Sequence, residues 1–133
     1  MIVYTNLCPS PLETSGLEKR IRQRIPSLVE YFHDLNDLGG RLRTRIYDID
    51  IIVIHVCRTS PIAELLEYQQ DLKELDIVLV LNDSIENEQL TRLLRLFPRY
   101  MAFDPDDNTI LNLLENRIAQ HDSGANKTVA GRR

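Results

Sequence analysis

The sequence predicts a three-layer α/β domain, a five-stranded parallel sheet with helices on both faces. Three observations predict it. Ile49 to Val56 is an almost continuous apolar run rich in β-branched residues. It is short for a helix and too continuous for a strand with one wet face, which is the pattern of a central parallel strand covered on both sides. Asp76 to Leu81 repeats that pattern. Around these two runs, strand-like segments alternate with segments of helical period, the rhythm of βαβ units.

The elements follow in order. Ile2 to Asn6 reads as the first strand, and Cys8-Pro9-Ser10-Pro11 as a loop, because proline removes backbone donors and resists helix. Leu17, Ile21 and Ile25 recur at helical spacing among Glu18, Lys19, Arg20, Arg22 and Arg24, giving an amphipathic helix stopped by Pro26. Ser27 to His33 is the second strand. Leu35, Leu38, Leu42 and Ile46 are helically spaced, but Gly39-Gly40 interrupts them and predicts two short pieces. After the central strand, Ser60 suits an N-cap and Pro61 the first helical position. Ile62, Leu65, Tyr68, Leu72 and Leu75 line the third helix.

Asp83 with Glu86 resembles a capping box before a fourth helix marked by Leu90, Leu93, Leu94 and Phe97 and ended by Pro98. Tyr100 to Phe103 is a fifth strand. Asp104-Pro105-Asp106-Asp107 opens a fifth helix that buries Leu111, Leu114 and Ile118, its acidic first turn favouring the positive end of the helix dipole. Residues 1–120 therefore form one domain, and residues 121–133, without periodicity, are expected to be a flexible tail. Right-handed crossovers leave few topologies, of which the flavodoxin-like order 2-1-3-4-5 is the commonest at this length.

Bulk properties narrow the function. A chain of 133 residues with 43% hydrophobic and 27% charged residues suits one globular domain. A net charge of −4 argues against a nucleic-acid partner. No apolar stretch approaches the roughly 20 residues of a membrane span. No leader pattern precedes the first strand, so the expected compartment is the cytoplasm, with Cys8 and Cys57 as free, inert thiols.

From Tyr47-Asp48-Ile49-Asp50-Ile51-Ile52-Val53-Ile54-His55-Val56, from Ile77 to Asn82, and from Tyr100-Met101-Ala102-Phe103-Asp104-Pro105, the chain resembles the receiver domain of two-component response regulators over roughly residues 1–120. These stretches match that family's third, fourth and fifth strands, but its catalytic residues are replaced. The resemblance places the phosphoacceptor aspartate on His55 and the magnesium-binding acidic pair on Thr5 and Asn6. It places the hydroxyl residue of the fourth strand on Asn82, the lysine before proline on Asp104, and the aromatic switch on Met101 or Tyr100. Phosphoryl transfer to a carboxylate needs that carboxylate, a divalent cation and a fixed positive charge. Thr5 and Asn6 are poor ligands for a hard cation, and Asp104 repels a phosphoryl group. The resemblance thus implies a pseudo-receiver, with no enzymatic activity and no cofactor, acting as a signalling or protein–protein interaction module. It also implies an interaction face on the fourth helix, fifth strand and fifth helix: Arg92, Arg95, Arg99, Asn112, Glu115 and Asn116, with a protein partner or a second copy of the chain.

Other readings stand beside it. Strand order 2-1-3 would bring Cys8, His33, His55 and Cys57 to one edge, a soft donor set for zinc or copper(I) in a small metal- or redox-active protein. No CxxC or HxxxH spacing supports it, and the alternative reading has His55 cap its strand by hydrogen bonding while the thiols simply pack. Ser60 lies outside any G-x-S-x-G elbow and reads as an N-cap rather than a nucleophile. No glycine-rich loop follows the first strand, which weakens a nucleotide or flavin site.

Overall fold

A computed structural model describes the chain except residues 8–10, 26–28, 45–47, 82–84, 104–107 and 131–133, and gives the backbone alone for 11–16 and 120–130. Its five strands are β1 (Ile2–Asn6), β2 (Val29–Phe32), β3 (Ile51–Val56), β4 (Ile77–Leu81) and β5 (Tyr100–Ala102). They form one sheet in the order β2-β1-β3-β4-β5. Every pairing is parallel. This is the flavodoxin-like architecture, and the switch in strand order falls between β1 and β3.

The three central strands, β1, β3 and β4, are buried along their whole length. Successive side chains point to opposite faces, so the sheet carries two cores. Val3, Ile52, Ile54, Ile77 and Leu79 pack against α2 (Leu35–Thr44), α3 (Ile62–Leu66), α4 (Gln69–Leu72) and α5 (Asn87–Leu93). Ile2, Tyr4, Ile51, Val53, Val78 and Val80 pack against α1 (Pro11–Arg24) and α6 (Asn108–Ala130). The helices bring the predicted residues: Leu17 and Ile21 from α1, Leu111 and Leu114 from α6.

Several elements depart from the expectations. Pro11 opens α1 instead of ending a loop, the N-terminal position where its missing N–H costs nothing. Gly39-Gly40 does not split α2. A β-carbon on Gly39 would lie 2.5 Å from Cε1 of Tyr68, so this glycine is where the Tyr68 ring meets the α2 backbone. That packing offsets the poor helix propensity. The predicted third helix is instead two short ones, α3 and α4, divided at Tyr68, whose ψ of 11° leaves the helical range. Neither has a side-chain cap, and Ser60 lies outside both.

The start of α5 also differs from the expectation. Glu86 occupies the N-cap position of α5 with an extended backbone, while Asp83 lies outside the described residues. The helix then tightens into a 3-10 turn at Leu94–Leu96. In a 3-10 turn residues three apart eclipse. Leu93 and Leu96 are thereby buried together, and Leu94 and Phe97, expected in the core, face outward. The backbone of α6 is helical from Asn108 to Ala130.

No helix among the described residues is long and apolar enough to cross a membrane.

Candidate functional site at the carboxyl ends of the central strands

The sheet buries few polar groups. Among the described residues, the buried polar side chains are Thr5, Asn6 and His55, and all three sit at the carboxyl ends of β1 and β3. In open α/β sheets this is where ligands bind, at the switch in strand order. Asn6 and His55 are register partners. The ladder continues one step beyond β1, where the Leu7 N–H donates to the His55 carbonyl at 2.9 Å.

His55 lies on the α1/α6 side, on the same face as Ile51 and Val53. Its Nδ1 is 3.2 Å from the hydroxyl of Tyr4, itself fully buried. Burial pushes the His55 pKa down to about 4, so the ring is neutral near pH 7. Burial also pushes the Tyr4 hydroxyl up, with a further contribution from the carboxylate of Glu18. Tyr4 packs against Tyr31 with ring centroids 5.9 Å apart, and the Arg22 guanidinium stacks 3.8 Å over the Tyr31 ring. Burial raises the Tyr31 pKa, against the opposing effect of Arg22. Thr5 faces the other side of the sheet. Its hydroxyl and that of Tyr31 are buried without a hydrogen-bond partner among the described residues.

Above the strand ends lies an open cleft of about 300 Å³, lined by Leu7, His33, Asp34, Leu35, Asn36, Pro61 and Glu64. The connections after β1, β2 and β3 thus form its walls. Asp34 and Glu64 make those walls acidic. His33, the ring among them, is exposed and lies 3.5 Å from the Glu18 carboxylate.

The sequence expectations fare unequally here. Thr5, Asn6 and His55 do come together. Asn82 and Asp104 lie outside the described residues, as does Cys8. The expectation of free thiols is overturned: Cys57 is disulfide-bonded, and no cysteine among the described residues is free. Its sulfur is therefore not available as a thiolate donor for the metal set Cys8, His33, His55 and Cys57. Among the described residues no group of three or more His, Cys, Asp or Glu side chains is placed to hold a metal ion.

The residues of the expected interaction face divide between the two sides of the sheet. Arg95 and Arg99 are exposed, with Arg99 3.6 Å from Asp76. Arg92 is half-buried and donates to Gln89 at 3.0 Å. On α6, Asn112 and Asn116 are exposed, while Glu115 turns to α1 and takes two hydrogen bonds from Arg24. The side-chain pattern missed the apolar part of this surface. Leu94 is 52% exposed and Phe97 82%, the latter with a left-handed backbone at φ 54°. The one sequence signal for it was Pro98, since a residue before proline resists continuing a helix.

Comparison with known proteins adds no relative: no family model, no curated protein and no solved structure matches the chain.

Proposed function

We propose that the chain is a non-phosphorylatable pseudo-receiver, a non-enzymatic module that works in signalling through protein–protein contact. The observation that carries this reading is the surface at the end of α5. Leu94 and Phe97 are exposed there, and the exposed cations Arg95 and Arg99 neighbour them in the chain. An apolar side chain held in water beside charge is the pattern of a protein contact, in which an aromatic anchor is ringed by polar groups. The positive charges favour an acidic partner surface and make the association weaken with salt.

The strand-end chemistry supports the negative half of the reading. The position expected to accept phosphate is His55, which is buried and hydrogen-bonded to Tyr4 rather than presented to solvent. The cleft nearby carries Asp34 and Glu64, which repel an anion.

Two measurements test this. Incubation with acetyl phosphate and magnesium is expected to leave the intact mass unchanged; a stable phosphoryl adduct would reject the reading. Phe97→Asp and Arg95→Glu are each expected to abolish retention of the chain's specific partner in affinity capture from source-cell extract, with circular dichroism unaltered. Light scattering of the purified chain over a range of concentrations tells whether that partner is a second copy. Undiminished capture and unchanged mass in both variants would remove this surface from consideration.

A further inference from the structure

Two features of the surface are opposites in shape and in charge. The first is a knob. Phe97 is the most exposed large apolar side chain among the described residues. Its turn is held in place: the Phe97 N–H donates to the Leu94 carbonyl at 3.0 Å, and Gln69 Nε2 donates to the Arg95 carbonyl at 3.0 Å. Arg95 and Arg99, both exposed, neighbour it in the chain. The second is a hole. The cleft over the strand ends has an apolar part, Leu7, Leu35 and Pro61, and two acidic groups, Asp34 and Glu64. The Asp34 carboxylate is fixed by the Asp37 N–H, which donates to it at 2.8 Å. The cleft volume of about 300 Å³ exceeds the roughly 150 Å³ that admits a benzene ring.

We propose that the cleft takes the Phe97 ring of a second copy of this chain, so that copies associate head to tail. The inference rests on the reading of Phe97 as a contact residue and names its partner. Complementarity argues for a second copy. A ring with cations beside it in the chain fits an apolar pocket with acidic walls, and this chain carries both. Asp34 and Glu64 of one copy meet Arg95 and Arg99 of the next, so unlike charges face each other across the contact. The two features lie too far apart to meet within one chain. Phe97 precedes β5, at the amino ends of the parallel strands, where the Arg99 N–H donates to the Ile77 carbonyl at 2.7 Å. The cleft lies beyond the carboxyl ends of those strands.

Knob and hole at opposite ends of the sheet determine the kind of assembly. A two-fold dimer pairs one patch with itself, whereas a contact between two different patches leaves a knob at one end and a hole at the other. Association therefore continues to a third copy and beyond, as an open chain or a larger ring, and does not stop at two. Withdrawal of the Phe97 ring from water supplies the attraction. The charges around it set the register and make the contact sensitive to salt.

The test is analytical ultracentrifugation of the full chain over a range of concentrations. The wild type is expected to gain mass beyond two chains as concentration rises, and to fall back towards one chain in high salt. Phe97→Asp removes the knob, and Glu64→Lys sets a cation in the hole against Arg95. Each variant alone is expected to remain at one chain, with circular dichroism unchanged. Mixed in equal amounts, they are expected to pair and stop at two, because the intact ring of the Glu64→Lys chain enters the intact cleft of the Phe97→Asp chain. A wild type of one chain at every concentration, a mass that stops at two, a Glu64→Lys variant that associates like the wild type, or no pairing in the mixture would each overturn the inference. The reading of Phe97 as a contact residue survives all four results and fails instead if Phe97→Asp leaves capture from source-cell extract undiminished. Should a variant fail to fold, the mass of the wild type and its response to salt still decide.

Discussion

The two ends of the sheet solve the same problem in opposite ways. At the amino ends of the strands the polar groups are charged, partly wet and matched. The N-terminal ammonium pairs with Asp50 at 2.5 Å. Arg117 reaches from α6 to the Asp50 carbonyl at 2.8 Å and to the Asp76 carboxylate at 2.6 Å, and Arg99 approaches the same carboxylate. At the carboxyl ends the buried polar side chains among the described residues, Thr5, Asn6 and His55, are neutral, and the Thr5 hydroxyl has no hydrogen-bond partner among those residues. The first arrangement ties α6 to the sheet. The second leaves desolvated groups beside an acidic cleft and a disulfide. The unsatisfied Thr5 hydroxyl costs stability at this end.

That contrast can be broken by pH. The His55 pKa is about 4 in the fold, against an ordinary 6.5. The unfolded chain therefore binds the proton first, and the contribution is intact above about pH 6.5 and lost as pH falls towards 4. The loss amounts to about 3 kcal/mol at the low end of the window. Urea unfolding at pH 7 and pH 4.5 should show it, and His55→Asn should flatten the dependence in that interval. Equal pH slopes for the two proteins would mean that His55 is not the group responsible.

A smaller effect is expected at the other end. Arg117→Met removes two hydrogen bonds from a mostly buried guanidinium and leaves the Asp50 carbonyl short of a donor, at a cost of about 2 kcal/mol. This loss should persist in high salt, because the pair is partly shielded from solvent. The smallest effect belongs to Arg24 and Glu115, an exposed pair between α1 and α6. Arg24→Ala should cost about 0.5 kcal/mol at low salt and nothing measurable at 1 M. A larger loss there would mean that the α1/α6 layer depends on surface charge rather than on Leu17, Ile21, Ile110 and Leu114.

Much of the fold was legible because buried parallel strands write themselves as apolar runs. Ile51–Val56 and Ile77–Leu81 fall inside the segments expected for them. The misreadings have local causes. Gly39 looked like a break because propensity does not record a tyrosine ring pressed against the helix backbone. Leu94 and Phe97 looked like core because an apolar period assumes a regular helix, and the 3-10 turn at Leu94–Leu96 changes the angle per residue. At the candidate site, His55 was visible as the polar end of an apolar strand. The bonded state of Cys57 was not, because the positions of two cysteines say little until the register between their strands is known.

Phe97 combines two costs in one residue. A left-handed backbone is disfavoured for any side chain with a β-carbon, and an exposed ring gains nothing from burial. Phe97→Gly should relieve the first cost and make the free chain more stable by about 1 kcal/mol. The natural residue is thus a concession of the monomer's stability, and the surface it occupies is one that evolution by folding alone would have given to glycine.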